Sequence, residues 1–430
     1  MPLQLITTET DLKGDFMFIM LKKSKVIKEF SLCLRLSILL LCLNLTSCYS
    51  LYPAPSGPAG GSSPSGGGNT IAQAQPGSNT SAAAPAAPVV PPEPPPLTGT
   101  LVPGDTLTEK LAWLQRSADS HNIYILEVTA NENISPATLS YRGAINITIA
   151  LRGDEENRTI RLRSHGAMFT INQNVTFVLE NNITLQGHSG NSDGLVKVEG
   201  GTFHMRTGAT ITGNTSTNYY GGGGVHLVGG TFEMTGGTIS GNSAVGSNGS
   251  AYVFGHGGGV YVGNYFGYSP SVFIMNGGSI ENNNARSNGG GVFINGTFTL
   301  RGGTISGNTA GEMGGGVSGG DFTMNGGTIA SNVAGNEGGG VYLDWQPLFA
   351  KTGGTITGYN SDPVNGNVVK DGSGNVLARR GHAIMANAYY SSGRQETTAG
   401  PVVRLTARSY DFSGSWDQPG SGGVGRDGTR

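Results

Sequence analysis

Residues 289–343 read GGGVFINGTFTLRGGTISGNTAGEMGGGVSGGDFTMNGGTIASNVAGNEGGGVYL. Three sub-motifs recur here in fixed order: GGGV plus two residues, a Phe-x-Leu or Phe-x-Met triplet, and GGTISGN or a close variant. GGGV starts at Gly289, Gly314 and Gly338, at spacings of 25 and 24 residues, and upstream at Gly222 and Gly257, where insertions such as Gly263 to Pro270 lengthen the period. A unit of that size cannot bury an apolar face alone, whereas stacked copies can.

Each sub-motif alternates as a strand does. Val225/Leu227, Val260/Val262, Val292/Ile294 and Val341/Leu343 share one face of the first strand, with Val196/Val198 as an earlier degenerate copy. Phe203/Met205, Phe232/Met234, Phe273/Met275, Phe298/Leu300 and Phe322/Met324 share a face of the second. In the third, Ile211, Ile239, Ile280, Ile305, Ile329 and Ile356 point one way. Three short strands joined by Gly-rich corners make one triangular coil, so the expected class is all-β, a parallel β-helix with like residues stacked about 4.8 Å apart. Asn214, Asn242, Asn283, Asn308 and Asn332 follow the third strand and are expected to form a structural amide column, with Asn adopting the left-handed corner.

The regular repeats span 193–362. Segment 101–192 fits the scheme loosely, through Ile145/Ile147/Ile149/Leu151, Ile160/Leu162 and Phe177/Leu179. Before it, Thr106-Leu107-Thr108-Glu109 is a capping box that opens a short helix with Leu107, Leu111 and Leu114 at helical spacing, placed to cover the open first coil. In 363–412 the pattern decays. Lys351 replaces the buried Met, Tyr359 replaces the Asn, and Gly381-His382-Ala383-Ile384 reads as a last coil closed by Val402, Val403 and Leu405. Residues 413–430 are a Gly-rich tail expected to be disordered.

The N-terminus reads as an address. Lys22, Lys23, Lys25 and Lys28 precede the apolar run Leu36–Leu45, too short to span a bilayer comfortably, within a signal region 1–47 whose first 19 residues fit an overlong start. Leu45-Thr46-Ser47-Cys48 resembles a bacterial lipobox, which implies lipidation at Cys48 and a membrane attachment. A plain secretion signal or an N-terminal transmembrane helix is the competing reading. From Cys48 to residue 100, Pro, Gly, Ala, Ser and Asn dominate, as in an extended spacer. All three cysteines, Cys33, Cys42 and Cys48, lie in this region, so the fold holds no disulfide or CxxC metal site. A net charge of −2 with no long basic run in the mature part excludes nucleic acid as an electrostatic partner.

The GGGV, FxMNGG and GGTISGN pattern resembles the right-handed β-helix repeat lipoproteins of spirochaetes, especially treponemes. The likeness runs from about Thr106 to the C-terminus and includes LAWLQ at 111–115, YILEV at 124–128 and RTIRL at 158–162. The repeats are also similar to those of chlamydial polymorphic outer-membrane proteins, although this chain ends in Gly-Thr-Arg with no room for a translocating barrel. The resemblance implies a right-handed, pectate-lyase-like solenoid on the outer membrane with an adhesin-like role. Stacking and periodicity alone do not set the hand.

Catalytic signals are sparse. Glu199, Glu233, Glu281, Glu312, Asp321 and Glu337 are scattered, without the adjacent carboxylates that glycoside hydrolysis needs. Gly255-His256-Gly257 matches one element of polygalacturonase-like hydrolases, but their other elements are absent, and His256 reads as a loop residue in register with Met313 and Glu337. No GK[ST] follows the glycines and no calcium nonapeptide occurs, so no cofactor or metal is implied. A binding surface is better supported. Lys197, His226, Tyr261, Phe293, Ser318 and Tyr342 fall between the inward pairs of the first strand and would align as a partly aromatic stripe, suited to a host protein or glycan, or else merely stabilising neighbouring strands. An outward column of Thr210, Thr238, Ser279, Thr304, Thr328 and Thr355 reads mainly as ordinary strand surface, with ice binding as the sharper alternative. The expectation is a non-enzymatic, adhesin-like surface lipoprotein. A degenerate polysaccharide lyase or glycoside hydrolase and a structural envelope protein are the alternatives.

Overall fold

The structure is a computed structural model that describes residues 94–405 except 248–253, 266, 268, 345–348, 360, 379, 389–390 and 397–402. The leader, Cys48, the tether up to residue 93, Val402 and the tail at 413–430 lie outside the described residues.

The chain winds into a parallel β-solenoid of about nine turns, with one short helix near its N-terminal end. Registers follow the repeat. Val196, Val225, Val260, Val292, Val317 and Val341 pair in succession along one ladder. Phe177, Phe203, Phe232, Phe273, Phe298, Phe322 and Phe349 pair along the second. Ile211, Ile239, Ile280, Ile305, Ile329 and Ile356 pair along the third. Nearly all of these side chains are fully buried. From Phe203 to Phe322, successive ring centroids lie 4.6–5.1 Å apart and within 15° of parallel, because the hydrogen-bonded strand spacing leaves a ring no other separation. Burying each such side chain stabilises the fold by about 1.5–3 kcal/mol.

The coil departs from a plain triangle in two ways. The first and second strands often run together across a bulge, as in Val196–Met205 and Val225–Met234. A fourth, two-residue ladder follows each Asn: Thr215–Ser216, Ser243–Ala244, Asn284–Ala285, Thr309–Ala310, Val333–Ala334 and Val368–Val369. Its inward residue is small, and Ala244, Ala285, Ala310 and Ala334 are buried in a column the periodicity did not reveal.

The Asn column is buried and hydrogen-bonded from coil to coil. Asn242, Asn283 and Asn308 each donate from Nδ2 to the Oδ1 of the next Asn at 3.0–3.1 Å. The column extends beyond its expected ends, to Asn191, which donates to Asn214 at 3.0 Å, and to Asn367, which accepts from Asn332 at 2.8 Å. Asn367 therefore takes the place read for Tyr359, because the chain turns aside at Gly358, whose carbonyl accepts from Ser361 N and Asp362 N, and rejoins the coil at Asn367, whose N–H donates to Thr357 O. The left-handed residue is also displaced by one. Gly213, Gly241, Asn282, Gly307 and Ser331, each just before a column Asn, carry φ between 54° and 67°. They turn the corner, which frees each column Asn to point its amide inward.

Both ends are closed. Helix α1 (Leu107–Ser117) starts at a complete Thr106/Glu109 capping box and buries Leu107 and Leu114, with Leu111 only partly covered. Its first N–H, that of Leu107, donates to the Glu132 carboxylate at 2.9 and 3.0 Å, and Trp113 packs edge-on against Tyr124, which fixes the helix to the first coil. At the other end, Ile384 pairs with Val341 in a final parallel strand, after which Ser391–Glu396 and Val403–Leu405 add antiparallel. Lys351 occupies the Met column, paired with Met324 and 2% exposed.

The last residues of the tether are docked to the solenoid. Leu97 N donates to Glu180 Oε1 at 2.8 Å, and Arg206 Nη1 donates both to Pro95 O and to the same carboxylate oxygen at 2.9 Å. Leu97 also covers a small outward apolar patch of Ile125, Ala150 and Val178.

Candidate functional site: an aromatic cluster and a notch between loops

The expected stripe forms in register. Lys197 pairs with His226, His226 with Tyr261, Tyr261 with Phe293, Phe293 with Ser318, and Ser318 with Tyr342. It is not an open face. His226, Tyr261 and Tyr342 are each 3% exposed, and only Lys197 and Phe293 are half-buried. Over His226 and Tyr261 the cover is Tyr265, from the segment inserted after Val262, together with Tyr220. Among the described residues the exposed aromatic here is therefore Tyr220, at 45%, a residue the repeat register does not mark. Its signal in the sequence was the Tyr219-Tyr220 pair just ahead of the glycines. His256 bridges to Gly221 and stacks on Phe293 at 4.4 Å, so it serves the aromatic packing. Burial pushes its imidazole down to about 4.

Beneath this cover runs a chain of polar contacts. Lys197 Nζ lies 3.4 Å from Asp193, whose Oδ1 is 2.8 Å from His226 Nδ1, and His226 Nε2 is 3.3 Å from the Tyr265 hydroxyl. Tyr265 and Asn295 hydrogen-bond in turn with the Tyr261 hydroxyl. Burial pushes Asp193 up, but the His226 hydrogen bond, the His226 and Lys197 charges and the Gly194 N–H together hold it below the usual carboxylate range. Burial raises both phenols, Tyr261 to about 12. An acid-oriented imidazole touching a phenol has the parts of a proton relay, yet His226 is sealed from solvent.

Next to the cluster lies a notch of about 360 Å³. Phe293, Asn264, Asn295, Ser271, Asp321 and Asp344 line it, with Gly320 open at its floor. Asp321, one of the scattered acids, thus shares the notch with Asp344, a pairing that no spacing in the sequence marked. Most of the other acids read from the sequence have structural partners: Glu199 with Lys197, Glu233 with His204 and Asn276, and Glu337 with Arg380. The Thr column is aligned as expected, from Thr210 through Thr238, Ser279, Thr304 and Thr328 to Thr355. In the adjacent outward row Glu281 interrupts the small hydroxyl residues.

Comparison with known proteins finds no matching family model, no matching curated protein and no matching solved structure. What the chain can be said to be is therefore a parallel β-solenoid of about nine turns, built from its own repeat.

Proposed function

We propose that this chain is a lipid-anchored bacterial envelope protein, attached through Cys48 and exposed at the outer membrane, that presents a rigid solenoid for adhesin-like contact with a host protein or glycan, without catalysis. The observation that carries this reading is the division of labour among side chains. The Gly, Asn, Phe, Val and Ile columns are consumed by stacking, while exposed aromatic and polar groups gather where the inserted segment after Val262 meets the aromatic cluster. The clamp of Pro95 and Leu97 by Arg206 and Glu180 supports a tethered body, since it holds the end of the Pro-rich segment firmly on the solenoid wall. Protease shaving of intact cells, followed by detection of the 105–410 fragment, tests the placement. Full protection of that fragment would sink the adhesin-like reading, as would failure of the purified chain to bind matrix, cells or arrayed glycans.

A second reading, a degenerate polysaccharide-active enzyme, draws its support from the Asp193–His226–Tyr265 arrangement. Unsaturated product from pectin-like or glycosaminoglycan substrates would favour it.

A further inference from the structure

On the third strand of the early coils, the outward row carries positive charge that no neighbouring side chain balances. In the strand Arg158–Leu162, Ile160 and Leu162 are buried, so Arg161 points out. Arg163 follows on the same side about 7 Å further on, its N–H still paired with Ile134 O of the coil before. Both arginines are exposed, and among the described residues neither guanidinium has a hydrogen-bond or ion-pair partner. That sets them apart from Arg152, Arg158, Arg206 and Arg380, each paired with a carboxylate. His165, also exposed, stands two residues beyond and packs its ring edge-on against His188 of the next coil at 5.2 Å.

The surroundings hold little acid. No Asp or Glu occurs at 133–153, 157–179 or 181–192. The carboxylate of Glu132 accepts from Leu107 N, and Asp154 and Glu156 pair with Arg158 at the start of the strand, in the same far turn as Glu155 and about 16 Å of strand from Arg163. Arg161 pairs with Asn133 in the coil before and with Gln186 in the coil after, and the same lane continues through Thr212 and Ser240 to Glu281. Glu281 is four coil steps from Arg161, about 19 Å, beyond the roughly 8 Å over which exposed charges act at physiological ionic strength. The nearer members of the lane are an amide on either side and a hydroxyl beyond, groups that both donate and accept.

We infer that this wall binds an acidic glycan, a chain of sugars that carries carboxylate or sulfate groups. A guanidinium is a planar fork that takes such an oxyanion through two parallel hydrogen bonds. Two forks about 7 Å apart along the strand can hold two anionic groups, and the amides of Asn133 and Gln186 and the hydroxyl of Thr212 suit the sugar hydroxyls between them. Nucleic acid fits less well, because it calls for a longer cationic track and this wall offers hydrogen-bonding groups in its place. The inference goes beyond the reading above. It concerns a different wall from the aromatic cluster and does not depend on whether Cys48 carries lipid.

The test uses the full chain in detergent, with heparin and hyaluronan as probes, uncharged dextran as the neutral control and a short DNA duplex as the competing polyanion, read by titration calorimetry at physiological salt. Heparin or hyaluronan is expected to bind at least tenfold more tightly than dextran and than the duplex. The double variant Arg161→Gln, Arg163→Gln is expected to weaken that binding at least tenfold, whereas Arg301→Gln, at an exposed arginine elsewhere on the solenoid, leaves it unchanged. Because all three positions are exposed, the variants should keep the urea midpoint of the parent, which separates lost binding from lost folding. Failure of both acidic glycans to bind, equal binding of the duplex, or unchanged affinity in the double variant overturns the site. If the site fails while the chain still adheres to matrix protein, the broader contact role survives. If an acidic glycan binds as expected while the 105–410 fragment is fully protected on intact cells, this wall stands and the surface-contact reading falls.

Discussion

Replacing Asn308 with Ala tests whether the amide column holds the coils together. The Asn308 side chain accepts from Asn283 N at 2.9 Å and Asn283 Nδ2 at 3.0 Å, and it donates to Ile280 O at 2.9 Å and Asn332 Oδ1 at 3.0 Å. After truncation, Asn332 Oδ1 keeps the Asn308 N–H at 3.0 Å, and Asn283 Nδ2 keeps Ile239 O at 2.9 Å. The Asn283 N–H loses its acceptor at a site where Asn308 is 0% exposed. A stranded buried group costs about 1–3 kcal/mol. Adding the weakened amide and carbonyl brings the expected loss to about 2–4 kcal/mol, with the lower end applying if one water enters the vacated space. Thr304→Ala, in the same coil but on its outer face, should change stability by no more than about 0.5 kcal/mol. Urea unfolding followed by far-UV circular dichroism measures both variants, and amide exchange should show the Asn283 N–H losing protection. An Asn308→Ala variant within about 0.5 kcal/mol of the parent, with Asn283 still protected, would refute the column as a source of stability.

Acid stability gives a second test. Burial holds His256 at about 4, below the roughly 6.5 of an unfolded chain, so its contribution is complete above about pH 6.5. It is lost as pH falls from there through about 4, because the unfolded chain takes the proton first, a loss on the order of 3 kcal/mol. His256→Met should flatten that window, and an unchanged acid slope counts against the assignment. Among the glycines, Gly290→Ala would push a Cβ to 2.4 Å from Gly315 O, and should cost about 1–3 kcal/mol, whereas Gly320→Ala should be near neutral in the same urea unfolding assay. Glu180→Ala removes the acceptor of Leu97 N and a partner of Arg206. It should speed proteolysis upstream of Thr100 while leaving the strand signal of the coils intact. Equal cleavage rates would show that the clamp does not hold the segment.

The repeat was legible because a solenoid makes its contacts at a fixed sequence period. Gly289, Gly314 and Gly338 announce the coil, and the Phe and Ile that follow each of them stack on their equivalents. The same logic found Asn214 to Asn332 and missed Asn367, since extra residues after Gly358 break the count without breaking the column. It also missed the Ala ladder, where small residues leave only a weak alternation, and it put the left-handed corner on the Asn instead of the residue before it.

The candidate site was only half legible. Which residues of the first strand face outward follows from alternation alone, so the order Lys197, His226, Tyr261, Phe293, Ser318, Tyr342 was available from the sequence. Whether those residues meet solvent depends on where an insertion folds, and insertions have no period. Tyr265 packing on His226 with Tyr220 against Tyr265, and Asp321 and Asp344 lining one notch, are decided in three dimensions. The sequence by itself determined the coil, its interior columns and the capped helix, because those rest on strand pairing and burial, which repeat. Only the tertiary structure decided what the outer surface offers to a ligand, because that rests on loops that pack once.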